Sequence, residues 1–173
     1  MSQFRYVSFA GSPLRLQRFL SNLVPNRRSL TRLNRELDCP DLVVFASPET
    51  PLVRMAGDHG LIIGRLFDGP NDCMPLERLD RRRSALAAST VGRSLLEHSR
   101  GSYIAFIRAG PRIAVVRDPA RDVPAFHAAM DGISICFSDL GLCSDLGFSE
   151  RQASEECLQQ RVTELFVAND AKH

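Results

Sequence analysis

The chain has 173 residues, of which 44% are hydrophobic and 24% are charged, and its formal net charge is +2. This length suits one domain that buries roughly two-thirds of its unfolded surface in a single core. The small net charge argues against a nucleic-acid or membrane partner, and no apolar run approaches the roughly 18 residues of a transmembrane helix. The N-terminus also lacks the three regions of a signal peptide, so we expect a cytoplasmic protein.

Cysteines and histidines are scattered along the chain. The cysteines are odd in number and form no C-x-x-C pair, which predicts neither a disulfide framework nor a zinc site. We therefore expect reduced thiols, and no metal site. The residues concerned are Cys39, Cys73, Cys136, Cys143 and Cys157, with His59, His98, His127 and His173.

The N-terminal third alternates between strand and helix patterns. Residues 4–9 predict a strand that ends at A-G-S-P, and residues 42–46 and 61–63 predict two more strands beyond an Arg-rich stretch. Between the first two strands, apolar residues at helical spacing have two arginines on the opposite side. These are Leu16, Phe19, Leu20 and Leu23, against Arg15 and Arg18.

The middle of the chain is more polar. The D-G-P-N cluster at 68–71 predicts a loop. A helix is then predicted from four residues at 76–86, with a solvated face at 81–83, and a second short helix follows at 91–96. The positions that carry these patterns are Leu76, Leu79, Arg83 and Leu86, and then Val91, Leu95 and Leu96.

Three strand-like runs between residues 101 and 138 give the strongest indication of fold. They cover 103–107, 113–116 and 133–137, separated by the turn sequences Ala109-Gly110-Pro111 and Asp131-Gly132. Strands that are apolar on both faces must be covered on both faces. Hairpin connections predict antiparallel sheets, so we expect an α+β protein in which sheet faces sheet and helices lie outside.

The tail from Ser149 onward predicts a helix. Ser149 and Gln152 fit a capping box, and an apolar stripe follows at helical spacing. The stripe consists of Leu158, Val162, Leu165 and Phe166.

Four motifs, in order, resemble the N-terminal class II glutamine amidotransferase domain of asparagine synthetase-related proteins. They are G-L-I-I-G-R-L-F at 60–67, G-S-Y-I-A-F at 101–106, V-R-D-P-A-R-D-V-P-A-F-H at 116–127 and C-F-S-D at 136–139. The residues of the first and third motifs are most similar to those of lasso peptide cyclases. These relatives activate a side-chain carboxylate with ATP and close a macrolactam.

This resemblance implies the four-layer αββα sandwich of N-terminal-nucleophile hydrolases. It implies a glutaminase-like domain over residues 1–148 and, over 149–173, a helical linker toward an ATP-pyrophosphatase domain with the motif S-G-G-x-D-S. That motif does not occur in this sequence. ATP and Mg²⁺ are accordingly expected in the synthetase domain, and no cofactor is expected in this chain.

The residues that the family needs for glutamine hydrolysis are missing. A class II glutaminase uses an N-terminal cysteine whose own α-amine is the base. The family cysteine aligns near Phe4 or Arg5, so Ser2 would lie on a short extension before the first strand. The oxyanion-binding asparagine is replaced by Ile63, which cannot donate a hydrogen bond, and the R-G-P-D and S-D-T-E segments have no counterpart. No catalytic residue is expected except Ser2, as an alternative nucleophile after removal of Met1.

The motif positions that match the family are interpreted as structural. An Arg-Asp pair before a proline typically fixes a turn by hydrogen bonds and an ion pair. His127 is expected to be a packed ring and Cys136 a small buried hydrophobic residue. The motif positions matched to the family are Gly64, Gly101, Arg117, Asp118, Pro124, Ser138 and Asp139.

Three functional hypotheses follow. The first is a catalytically inactive domain that supports the synthetase domain of its parent protein and helps to hold a precursor peptide or its protease or leader-binding partner. The second is an amidohydrolase that uses Ser2. The third is a binding module that uses the basic segment at residues 27–35, which the near-neutral overall charge disfavours.

Overall fold

The computed structural model describes residues 4–23, 30–68, 78–79, 88–109, 112–147 and 162–166. Strands and helices follow one another along these ranges. The strands are β1 (Tyr6–Ala10), β2 (Asn34–Asp38), β3 (Leu42–Ala46), β4 (Leu52–Met55), β5 (Gly60–Asp68), β6 (Arg78–Leu79), β7 (Ser99–Ala109), β8 (Arg112–Arg117), β9 (Phe126–Met130), β10 (Ile133–Phe137) and β11 (Val162–Phe166). The helices are α1 (Pro13–Asn22), α2 (Ala88–His98) and α3 (Leu140–Asp145).

The strands form two sheets. The first has the order β2-β3-β1-β10-β9 and the second the order β11-β8-β7-β5-β4-β6. All neighbours are antiparallel apart from β4 and β6, which pair in parallel at the edge of the second sheet. Two predominantly antiparallel sheets therefore make up the body of the α+β protein.

Three apolar clusters define four layers. The inter-sheet core combines one face of the first sheet with one face of the second, for example Tyr6 and Val44 with Ile63 and Phe106. The opposite face of the first sheet packs beneath α1 and α3. The opposite face of the second sheet packs beneath α2. The αββα order predicted from the sequence is confirmed.

All six predicted strands and two of the predicted helices are confirmed. Residues 42–46 and 133–137 form strands with the expected bounds, and the strands predicted around 4–9, 61–63, 103–107 and 113–116 are present with shifted or longer limits. α1 buries Leu16 and leaves Arg15 and Arg18 exposed, as its apolar spacing indicated. α2 contains the pattern at 91–96. The sequence did not predict β2, β4 or β9.

Two helical predictions are wrong where the structure describes them. Residues 78–79 pair with β4 as a short strand and not as part of a helix. Residues 162–166 form a strand on β8, with Val162 opposite Val116 and Leu165 opposite Ile113. The remaining residues of these predictions, including those at 81–83 and 149–161, lie outside the described residues, as do most of the loop predicted at 68–71 and Ala109-Gly110-Pro111 beyond Ala109.

The turn between β9 and β10 has the geometry expected of Asp131-Gly132. Both residues have positive φ, 53° for Asp131 and 74° for Gly132. A type I′ turn requires positive φ at both central positions. This turn sets the register in which Ile133 faces Met130 and Phe137 faces Phe126.

Two ion pairs connect the sheets at their polar margins. The Arg108 guanidinium on β7 lies 2.7 Å from the Asp41 carboxylate, which precedes β3 in the other sheet. Arg54 on β4 contacts both the carboxylate and the carbonyl oxygen of Glu36 on β2. Charged side chains therefore tie the two sheets together outside the apolar core.

Gly64 is required by a close approach between β5 and β7. Its φ is +114°, and a Cβ atom built there would lie 2.1 Å from the carbonyl oxygen of Ser102. Gly101, on the facing strand, has φ +131° and would place a Cβ 2.0 Å from the Arg65 carbonyl oxygen. Any side chain at either position would therefore meet backbone atoms that cannot move independently of the sheet.

We predict that Gly64→Ala lowers the free energy of unfolding by about 2–5 kcal/mol, because it adds both a strained φ and a backbone clash. The control is Gly57→Ala, at an exposed residue with φ +66° whose added Cβ would meet only the His59 ring. Positive φ alone should cost about 1–2 kcal/mol there. Urea unfolding followed by circular dichroism measures both values, and equal losses would contradict the assigned clash.

Candidate functional site

The motif residues converge where β1 begins, β8 ends and β10 ends. Tyr6, Arg117 and Ser138 lie there within or beside the inter-sheet core. The segment 118–125, which joins β8 to β9, closes this end of the sandwich. The resemblance implies that an active family member would carry its nucleophile in the same region, so we treat it as the candidate site.

Ser138 joins the end of β10 to the start of β1. Its hydroxyl oxygen accepts a hydrogen bond from the Tyr6 backbone N–H at 3.0 Å, and its own backbone N–H donates to the Tyr6 carbonyl at 3.1 Å. The Ser138 side chain is buried. Its hydroxyl thus satisfies a backbone donor where the two strands separate.

Arg5 is one of the two residues, with Phe4, near which the resemblance places the family cysteine. Its backbone N–H donates to the Thr50 hydroxyl at 3.3 Å, and its carbonyl oxygen accepts from the Ser47 N–H at 2.8 Å. Its guanidinium lies 3.8 Å from the Asp139 carboxylate and 3.7 Å from that of Asp145. Backbone and side chain alike are therefore engaged in holding the start of β1 in place.

Asp139 begins helix α3. Its carboxylate accepts a hydrogen bond from the Leu142 backbone N–H at 3.2 Å, as expected of an N-cap residue. The same carboxylate faces Arg5. Asp139 thus caps one element and orients another, and neither contact requires a substrate.

Arg117 is buried, with 5% of its surface exposed. Its Nη2 donates to the carbonyl oxygens of Val123 at 2.9 Å and Arg121 at 3.4 Å. Its Nε has no hydrogen-bond partner among the described residues. The guanidinium contacts these carbonyl oxygens and not the neighbouring Asp118 carboxylate, so the ion pair expected between Arg117 and Asp118 is not part of the turn.

Asp118 organises the same turn through its carboxylate. One oxygen accepts from the Tyr103 backbone N–H at 3.0 Å and the other from the Arg121 N–H at 2.5 Å. Arg121 has φ +59°, a conformation that few residues other than glycine adopt readily. Asp118 thereby fixes a tight turn after β8 and anchors it to β7.

Pro124 accepts the hydrogen bond that closes the site. The Tyr6 hydroxyl donates to its carbonyl oxygen at 2.8 Å and lies 3.9 Å from the Cys136 sulfur. Burial, followed by the proximity of Cys136, raises the pKa of Tyr6 well above its ordinary value, while Arg117 acts in the opposite direction. The phenol is therefore neutral over the ordinary pH range.

Cys136 is an unreactive thiol. Burial raises its pKa to about 12, although the hydrogen bond with the Tyr6 hydroxyl and the charge of Arg117 both oppose this rise. The thiolate is the nucleophilic form, so a thiol of such high pKa is inert at neutral pH. Cys136 and Cys39 are both free thiols.

Ile63 and Gly64 lie in the inter-sheet core and the second sheet. The Ile63 side chain is fully buried against apolar neighbours. The Gly64 backbone N–H donates to the Pro51 carbonyl at 2.8 Å, so this donor is used within the fold. The position where the family places an oxyanion donor is thus apolar.

His127 lies on β9 and contacts a serine on the neighbouring strand. Its Nε2 is 2.7 Å from the Ser134 hydroxyl oxygen. Burial lowers the pKa of this half-buried imidazole, so the neutral form dominates at neutral pH. Ser2, the alternative nucleophile, lies outside the described residues.

Within the described parts of the chain, no three His, Cys, Asp or Glu side chains come together in a way that could hold a metal ion. Over the same residues, no helix is long and apolar enough to cross a membrane.

Sequence patterns missed two residues that complete the site. Tyr6 alternates with Ser8 on the face of β1 that points into the inter-sheet core, which could have marked its hydroxyl as a buried donor. Thr50 follows an unpredicted turn after β3, and no local pattern connects it with Arg5, which is 45 residues away.

Comparisons with known proteins find similarity only among solved structures. No protein-family model and no curated protein matches the chain. Among solved structures, it is similar to the glutamine phosphoribosylpyrophosphate amidotransferase from B. subtilis complexed with ADP and GMP, with a TM-score of 0.44 and 9% identity. The match covers 96% of this chain and 50% of that chain, so this chain spans about half of the length of that protein. At this similarity the match carries no argument, and the fold rests on the layers and strand order described above.

We predict that Ser138→Ala lowers the free energy of unfolding by about 1–3 kcal/mol, because it leaves the buried Tyr6 N–H without its hydroxyl acceptor. Ser144→Ala, at an exposed position of α3, is the matched control and should change stability by less than about 0.5 kcal/mol. Denaturant titration of the two variants measures the difference. A neutral Ser138→Ala would show that this hydrogen bond does not hold β1 to β10.

Alkaline pH should destabilise the protein through Cys136. The folded pKa of about 12 exceeds the ordinary value of 9.0, so the thiol contributes stability that is fully present below pH 9.0 and is lost as pH rises toward about 12. We expect Cys136→Ala to show a shallower fall of unfolding free energy over this range than the unchanged protein. Parallel curves of unfolding free energy against pH for the two proteins would exclude a raised pKa of Cys136.

Proposed function

We propose that this chain is a non-catalytic glutaminase-like domain of an asparagine synthetase-related enzyme. The observation that carries the proposal is that structural contacts occupy the start of β1. Where a nucleophile would be expected, Arg5 has both backbone polar groups bonded to the turn at 47–50 and its guanidinium near two carboxylates. That arrangement supports a structural role for this end of β1.

The neighbouring positions support the same proposal. Ile63 offers only methyl groups at the place of an oxyanion donor, and the Cys136 thiol is kept protonated by burial. Acyl transfer from glutamine needs an activated nucleophile and a hydrogen-bond donor for the developing oxyanion. The motif residues Arg117, Asp118 and Ser138 make their hydrogen bonds to backbone groups of this chain.

The role that we propose is support of an ATP-dependent amide-forming domain, with a lasso peptide cyclase as the parent enzyme. The spelling of residues 60–67 and 116–119 supports this finer assignment. ATP and Mg²⁺ would then be bound by the synthetase domain, and a precursor peptide or its protease or leader-binding partner would be a further partner. A cytoplasmic location fits such an enzyme.

Glutamine hydrolysis is the direct test of the non-catalytic assignment. The purified chain, incubated with L-glutamine, should release no more ammonia than buffer does, because the described part of the site contains no activated nucleophile. Ser2→Ala and the surface control Ser21→Ala are assayed in parallel, and mass spectrometry establishes whether Met1 is removed. Ammonia release that is lost in Ser2→Ala and kept in Ser21→Ala would instead establish an amidohydrolase.

The parent enzyme is tested separately. The coding sequence downstream of residue 173, or an adjacent reading frame, should encode S-G-G-x-D-S, and the encoded domain should co-purify with this chain when the two are co-expressed. A downstream sequence without a nucleotide-binding domain would contradict the proposed parent.

A further inference from the structure

The outer surface of helix α1 combines positive charge with apolar clefts. The first 35 residues of the chain contain seven arginines and no aspartate or glutamate. Two of these arginines, Arg15 and Arg18, are exposed on α1, as is Leu14, of which 75% is accessible. This basic surface is not used by the candidate site at the other side of the first sheet.

One cleft beside α1 has a volume of 620 Å³. Arg15, Arg18 and Asn22 form its helical wall, at i, i+3 and i+7, and the hairpin residues Met130 and Asp131 form the opposite wall. Its floor is apolar and is made by Phe19, Leu23 and Leu146. The lining thus combines two arginines and one aspartate with an apolar floor suited to an aliphatic or aromatic side chain.

The position of Arg15 is restricted by the turn that it crosses. A Cβ atom at Gly132 would lie 2.5 Å from Nη1 of Arg15, so the side chain lies directly over the glycine of the β9–β10 turn. Arg15 is therefore held at the rim of the cleft and does not extend freely into solvent. A cation fixed in this way loses less side-chain entropy when it meets an anion.

A second cleft, of 770 Å³, lies on the other side of α1 and differs in charge. Its arginine, Arg35, is already paired with Asp38 at 2.6 Å. The charges of Arg35 and Asp38 balance there, whereas Arg15 and Arg18 against Asp131 leave one excess positive charge in the lining of the first cleft. That asymmetry selects the cleft between α1 and the β9–β10 hairpin.

We propose that this cleft binds an acidic peptide segment of a partner protein, with one large apolar side chain on the Phe19–Leu23 floor and carboxylates at Arg15 and Arg18. Charge complementarity selects an acidic partner, and the apolar floor selects a peptide side chain over the phosphate backbone of a nucleic acid. The proposal is independent of the glutaminase-like assignment.

The test uses the whole chain and a fluorescein-labelled peptide of sequence E-D-L-E-D-F-E-D, followed by fluorescence anisotropy. Binding should weaken as salt concentration rises, since exposed charges are screened. The double variant Arg15→Glu with Arg18→Glu should bind about tenfold or more weakly, because two attractions become repulsions. A peptide in which Leu and Phe are replaced by Ser should also bind more weakly.

Arg93→Glu is the matched control. Arg93 is exposed on α2, in the helix layer of the other sheet, and its reversal makes the same kind of charge change without touching the cleft. It should alter affinity less than about twofold when general electrostatics are screened. Acidic residues in the first turns of α1 favour the helix dipole, so the double variant should fold, and the single variant Arg18→Glu gives the same readout with a smaller change.

Three results would overturn the proposal. They are the absence of binding by the unchanged protein, an equal loss of affinity in Arg93→Glu, and tighter binding of a single-stranded oligonucleotide of the same length than of the acidic peptide.

Discussion

The face-to-face contact of the two sheets constrains nearly every other part of this molecule. Each inner strand contributes one face to the inter-sheet core and the other to a core beneath the helices, so that positions such as Ile62 and Ile63 are both fully buried on opposite sides of β5. A strand in that situation has no solvated face. Polar side chains can enter it only where the fold itself supplies their hydrogen bonds.

The candidate site is the place where this happens. Tyr6, Arg117 and Ser138 are buried polar residues at one end of the inter-sheet core, and their hydrogen bonds go to backbone groups of β1 and of the segment 118–125. An unsatisfied buried polar group costs more than an ordinary hydrogen bond contributes, which explains why these residues are arranged around carbonyl oxygens and N–H groups. The site thus joins strand ends that are more than one hundred residues apart in sequence.

Local patterns predicted the interior of the fold better than its margins. Residues 42–46 are a continuous apolar run and residues 133–137 are apolar apart from Ser134, which is the pattern of a short buried strand. β2 carries Arg35 and Glu36 at a sheet edge and contains a bulge, so alternation does not mark it as a strand. Residues 162–166 belong to an apolar pattern at helical spacing, yet they pair with β8 as a strand, so tertiary pairing overrode the local pattern.

The candidate site was likewise predictable only where a local sequence pattern determines it. The R-D-P sequence indicated a turn after β8, and the hydrogen bonds of Asp118 are those of such a turn. The contact of the Tyr6 hydroxyl with Pro124 spans 118 residues and depends on how the sheets face each other. Arg108 and Asp41 likewise meet only because two separate sheets pack together.

β11 forms one edge of the second sheet and covers β8. Its pairing with β8 occupies backbone N–H and C=O groups that would otherwise face solvent, and an open edge of this kind is a template for strand addition between molecules. The opposite edge ends in β6, which has two residues and offers little length for such pairing. The edge that this sheet presents on that side is therefore set by five residues that are distant from the rest of the sheet in sequence.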